Sequence, residues 1–196
     1  MAPKRARPRP VESAASAAKK KAKGGGSLAE TSGLWLLKSE PHEFSLAHLR
    51  DSNGGIAPWD GVRNAQARNM LKSMRVGDRA FFYHSSCKVP AIVGICEVVK
   101  TAYPDPTALD PKHERYDHKS DPANPKWVCV DVKFVREMKR EVTLAELRQE
   151  ATGTGATGAD GAKALASMTL LNRARLSVQP VTSAEWEHVL RLEASS

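Results

Sequence analysis

Three short stretches set aromatic rings beside groups that can fix a hydrogen bond: WLLKSEP at 35–41, WDGVRNAQARN at 59–69 and FFYHS at 81–85. A plain core needs no such mixture. Rings stack on a flat polar ligand, which for a nucleobase is worth roughly 1–3 kcal/mol per base. Donors and acceptors along the ligand's edge then decide which ring is accepted. Lys38, Ser39 and Glu40 stand at a strand end fixed by Pro41, a usual place for a binding edge. Asp60 can accept from an exocyclic amine, and Arg63 can contact phosphate or lock Asp60 in an ion pair. Asn64 precedes a helix start, where capping is its expected role and free N–H groups can hold an acceptor. Tyr83 offers a stacking face and a hydroxyl, with His84 and Ser85 next to it at the strand end. Trp127, after Asn124-Pro125-Lys126, can supply a further wall. For Trp35, among Leu34, Leu36 and Leu37, a core position competes with a ligand contact, and the same choice is open for Trp59.

Other chemistries have weaker claims. Residues 153–158 spell GxGxxG, but LAELRQE before them reads as a helix. A dinucleotide fingerprint needs a strand there, so 152–161 is expected to be a flexible Gly/Thr/Ala loop. His84-x-x-Cys87 and His113-x4-His118 lack the partners of a metal site. His84 and Ser85 point to opposite faces of a strand, so adjacency makes no catalytic pair. The expected protein is therefore not an enzyme, has no catalytic residues and needs neither metal nor cofactor.

Charge is unevenly placed. The 196 residues carry a formal net charge of +8. Residues 1–32 hold Lys4, Arg5, Arg7, Arg9, Lys19, Lys20, Lys21 and Lys23 against two acidic residues, which leaves 22 basic and 20 acidic groups in the rest. The tail lacks large apolar groups and is expected to be disordered. Its two basic clusters fit a nuclear-import signal recognised by import receptors, or a phosphate-binding tail. A nearly neutral domain is no broad phosphate-binding face, so any nucleic-acid recognition must sit in a local site. Three cysteines at unrelated spacings suggest a reducing compartment. No apolar run approaches the roughly 20 residues that span a bilayer, so no membrane partner is expected.

The elements that must position these groups read as follows. LWLLK (34–38) is a buried strand, and Ser45 caps a short helix. Asn64 caps a helix to about Met74. RAFFYH (79–84) and AIVGICEVV (91–99) form an antiparallel hairpin, followed by a long proline-rich loop over 103–126. WVCVDVKFV (127–135) alternates cleanly, with Val128, Val130, Val132 and Phe134 on one face. Thr143-x-x-Glu146 and Thr182-x-x-Glu185 fit capping boxes ahead of helices near 144–150 and 183–192, with a strand near 174–178 between them. About six strands with short helices and no βαβ repeat predict an α+β fold: a curved, mostly antiparallel sheet or small barrel.

In order along the chain, the three stretches, the Ala-Tyr-Pro-Asp run at 102–105 and NPKWVCVDVKFV (124–135) resemble the EVE domain, over roughly 33–192. The basic tail is outside the resemblance, which divides the chain into a tail (1–32) and a domain (33–196). EVE domains have a PUA-like fold, a curved β-barrel related to the SRA and YTH readers of modified bases. The resemblance implies a nuclear, monomeric reader that takes a flipped 5-methylcytosine or 5-hydroxymethylcytosine of DNA into an aromatic pocket. That pocket would draw on Trp35, Lys38, Ser39, Glu40, Trp59, Asp60, Arg63, Asn64, Tyr83, His84 and Ser85. A reader of a modified RNA base, an enzyme acting on modified bases and a protein-interaction domain are the alternatives.

Overall fold

Six strands form one sheet in the order β2-β5-β4-β3-β1-β6 in the computed structural model, which describes residues 32–195. The strands are β1 (Leu34–Ser39), β2 (Ile56–Trp59), β3 (Arg79–His84), β4 (Ala91–Pro104), β5 (Val128–Thr143) and β6 (Val178–Pro180). Only β1 and β3 pair in parallel; the other four pairings are antiparallel. The ladder has two ends, β2 and β6, so the sheet is open rather than a closed barrel. It is nevertheless strongly curled. Trp59 on one edge strand and Phe82 three strands away meet with ring centroids 5.3 Å apart.

Alternation along the strands divides the core in two. Trp35, Leu37, Trp59, Phe82, Val130 and Val132 pack on one face with helices α1 (Leu46–Asp51) and α2 (Ala65–Ser73). Leu36, Phe81 and Tyr83 point the other way, as period 2 requires, onto α3 (Leu144–Ala151), α4 (Ala159–Leu165), α5 (Thr169–Asn172) and α6 (Ser183–Ala194). Trp186 of α6 stacks on Phe81 at 3.8 Å between centroids. Both predicted caps form, one of them only in part. Thr182 and Glu185 close a full capping box, whereas at Thr143 only the hydroxyl half forms because Glu146 is drawn to Arg140.

Several expectations shift. The strand placed near 174–178 is β6, displaced to Val178–Pro180. β2 was hidden by Pro58, which a strand tolerates at an edge. Nor is the stretch 152–161 a featureless flexible loop. It folds over the buried Glu150 carboxylate, which accepts from the Thr157 hydroxyl and amide and lies 3.6 Å from His188 Nε2. A Cβ at Gly155 or Gly161 would collide with Glu150, which explains the small residues there. Burial pushes the Glu150 carboxyl up, but the Thr157 hydrogen bonds outweigh it and hold it below the usual range. The basic clusters of residues 1–31 lie outside the described residues.

Candidate functional site

The parallel register of β1 and β3 sets Lys38 beside Tyr83 and Ser39 beside His84, so two of the three motifs emerge side by side. The curl of the sheet brings the end of β2, with Trp59, to the same place. The result is a cleft of about 890 Å³. Lys38, Ser39, Glu40, Tyr83 and Ser85 line one part of it, and Trp59, Asp60, Arg63 and Asn64 another. Nine of the twelve residues expected from sequence thus share one cavity, although they come from three separate segments.

The other three lie elsewhere. Trp35 is buried in the core and donates from Nε1 to Asp78 at 2.7 Å. His84 turns toward α1, where its Nε2 accepts from the Leu46 amide at 3.2 Å. Burial lowers its pKa, in keeping with a neutral acceptor ring. Trp127 is also buried. Its Nε1 donates to Asp117 at 2.6 Å, and Arg63, Arg68 and Lys126 approach its ring within 5.8 Å.

Within the cleft, fixed and free groups separate clearly. Trp59 is 5 % exposed and braced edge-on by Phe44 and Phe82, so it presents little more than an edge. The Tyr83 ring is 2 % exposed, Lys38 Nζ stands 5.7 Å from its centroid, and its hydroxyl has no hydrogen-bond partner among the described residues. Burial pushes that phenol up to about 12, so it stays a donor at neutral pH. Lys38 donates to the Ala174 carbonyl at 2.5 Å and is itself lowered by burial. Ser39 Oγ is committed to the Phe44 carbonyl, and Ser85 Oγ to the Ser39 carbonyl. Asn64 caps α2 by accepting from the Gln66 and Ala67 amides, which leaves its amide N–H groups for other partners.

Arg63 locks Asp105, not Asp60. Its guanidinium donates to Asp105 at 2.7 Å, to Thr107 Oγ1 at 2.8 Å and to the Arg115 carbonyl at 2.7 Å. Asp105 is 1 % exposed and also accepts from the Gly61 amide at 3.0 Å and from Thr107. Gly61 sits at φ +69°, a left-handed turn that suits glycine. Asp105 therefore staples the Trp59–Asn64 segment into shape from below. In the sequence, Asp105 closes the Ala-Tyr-Pro-Asp run without any neighbour that discloses this role. Further lining comes from Glu43, His113 and Arg115, with Ala174, Arg175 and Ser177 opposite. At the mouth, Glu40, His42 and Glu43 bring ligand atoms within 4.8 Å of one another, but Glu43 is engaged by Arg115.

The sequence pattern of the EVE domain matches residues 33–192. The chain belongs to the EVE domain family. It is 46 % identical to human thymocyte nuclear protein 1 over 175 residues, 85 % of this chain and 76 % of that protein. The crystal structure of the DUF55 domain of that human protein superposes with a TM-score of 0.76 at 48 % identity, covering 83 % of this chain and 99 % of that one. A structure of human THYN1 protein in complex with 5-methylcytosine-containing DNA gives a TM-score of 0.77 at 45 % identity, covering 83 % and 98 %. The EVE match begins at Gly33, one residue before β1, and takes in every element that lines the cleft.

Proposed function

We propose that this EVE protein is a non-enzymatic, monomeric nuclear reader of a modified cytosine in DNA, of the 5-methyl or 5-hydroxymethyl type. The base, turned out of its stack, enters the cleft between Tyr83 and the Trp59–Asn64 segment. The observation that carries this reading is the likeness to the human protein seen with 5-methylcytosine-containing DNA, at 45 % identity over 83 % of this chain. The chemistry agrees. Turning out a base costs a few kcal/mol, repaid by stacking and by hydrogen bonds to its edge. The cleft offers the phenol of Tyr83, whose ring is almost wholly buried, a carboxylate at Asp60 without a side-chain partner among the described residues and amide donors at Asn64. Arg175 at its rim has no side-chain partner among the described residues and suits a phosphate. The basic clusters at 4–9 and 19–23 would serve nuclear import or add phosphate affinity.

The test is a titration at fixed salt of the full chain, and of the chain lacking residues 1–31, against matched oligonucleotides. Cytosine, 5-methylcytosine and 5-hydroxymethylcytosine are compared in single- and double-stranded DNA and in RNA. Tighter binding to a modified cytosine in DNA is expected. Equal affinity for modified and unmodified strands would sink the reading, and a preference for RNA would redirect it.

A further inference from the structure

Asp60 is the cleft carboxylate without a side-chain partner among the described residues. Glu43 is held by Arg115 at 2.7 Å, Glu114 meets the same guanidinium at 3.3 Å, and Glu40 has His42 at 3.7 Å. Arg63, three residues along, is the obvious partner, yet Asp105, Thr107 and the Arg115 carbonyl occupy it. The neighbouring Gly61 amide is likewise committed to Asp105. The chain on the C-terminal side of Asp60 is thus fastened from below, while its own carboxylate is left open to the cleft. Asp60 is exposed, yet partial desolvation and the nearby Asp105 charge raise its carboxyl, against His113, Arg63 and a backbone hydrogen bond that pull the other way. An exposed carboxylate that lines the cleft and has no side-chain donor among the described residues is free to accept from a ligand.

We propose that Asp60 is the specificity-determining residue of the cleft, accepting from the 4-amino group of a pyrimidine and rejecting the 4-keto counterpart. The proposal rests on the modified-cytosine reading and names what that site discriminates. A carboxylate accepts from the exocyclic amine of cytosine. Facing the keto oxygen of thymine, it would oppose lone pair to lone pair. 5-Methylcytosine and thymine share the ring and the methyl group and differ only along this edge. A pocket that judged shape and methyl alone would take both. With Asp60 in place, the cleft reads the methylated base and refuses the base left by its deamination.

The experiment uses the full chain and three duplexes carrying cytosine, 5-methylcytosine or thymine at one position, each opposite an abasic site so that none is paired. Wild type is expected to bind 5-methylcytosine about tenfold or more tighter than thymine, since one well-placed edge contact discriminates by roughly 1–3 kcal/mol. Asp60→Asn, whose amide can turn either oxygen or nitrogen to the ligand, is expected to bring that ratio to within about threefold. Asp60→Ala serves as a second variant, and thermal unfolding checks that both fold. Wild-type-like discrimination in the folded variants, or a wild type that binds 5-methylcytosine and thymine equally, overturns the assignment. A wild type that binds 5-methylcytosine no better than cytosine instead overturns the reader function on which it rests.

Discussion

The Arg63 guanidinium lies 2.7 Å from the Asp105 carboxylate, 42 residues along the chain, and this buried pair sets the shape of one wall of the cleft. Burial alone would raise the Asp105 carboxyl, but Thr107 and Arg63 hold it below the usual range. Removing one partner of a buried ion pair costs about 3–5 kcal/mol. The Arg63 side chain keeps 21 % exposure and can recruit water, so the loss for Asp105→Ala is expected at the lower end, about 3 kcal/mol. Urea unfolding at neutral pH measures it. A midpoint equal to wild type would show that the pair does not hold the Trp59–Asn64 segment.

Trp59 and Tyr83 are not equivalent targets. Trp59 is wedged against Phe44 and Phe82, so Trp59→Ala is expected to cost about 3–5 kcal/mol of stability and to report on folding as much as on binding. Tyr83→Phe removes only a hydroxyl without a partner among the described residues. Its stability should stay within about 0.5 kcal/mol of wild type, while affinity for a methylated oligonucleotide drops several-fold. Paired denaturation and fluorescence titrations separate the two effects. Unchanged affinity for Tyr83→Phe would remove the hydroxyl from the contact set.

Local chemistry was legible in the sequence, and long-range partnership was not. The motifs at 35–41, 59–69 and 81–85 supply eleven of the 24 residues that line the cleft, because strand ends and helix starts are written in neighbouring residues. Which end meets which depends on the parallel pairing of β1 with β3 and on the curl of the sheet, neither of which has a local signature. The role of Asp105 depends on Gly61 and Arg63, far away in sequence. The Gly/Thr/Ala stretch at 152–161 has the composition of a flexible loop, and the Glu150 carboxylate that it covers is tied to Thr157 and lies near His188, contacts that composition does not disclose. Trp127 and His84 have the right residue types, but Asp117 and the Leu46 amide hold them outside the cleft.

Arg175 separates affinity from recognition. If its guanidinium meets a phosphate, Arg175→Ala should weaken binding to methylated and unmethylated duplexes alike. The slope of log K against log salt should then fall by about 0.9, the share of one phosphate on duplex DNA. The ratio between the two duplexes should not change. Titrations at several salt concentrations provide the slope. A changed ratio at constant slope would place Arg175 on the base instead.

Glu193 ties α6 to β5. Its carboxylate takes both arms of Arg136, at 2.5 and 2.8 Å, and the Lys139 amide at 2.6 Å. The Arg136 hydrogen bonds lower its pKa more than burial raises it. A depressed carboxylate contributes stability that is complete above the unfolded value and disappears as pH falls through the folded one. Hydrogen bonds to a charged group are worth about 1.5–3 kcal/mol, so Glu193→Gln is expected to lose about 2 kcal/mol at pH 7. The gap between variant and wild type should begin to close below about pH 4, near the ordinary glutamate value. It should vanish only below the lowered folded value. Urea unfolding at pH 7, 5 and 3 follows the gap directly. A difference at pH 3 as large as that at pH 7 would mean that the loss comes from packing at the end of α6 and not from the charge on Glu193.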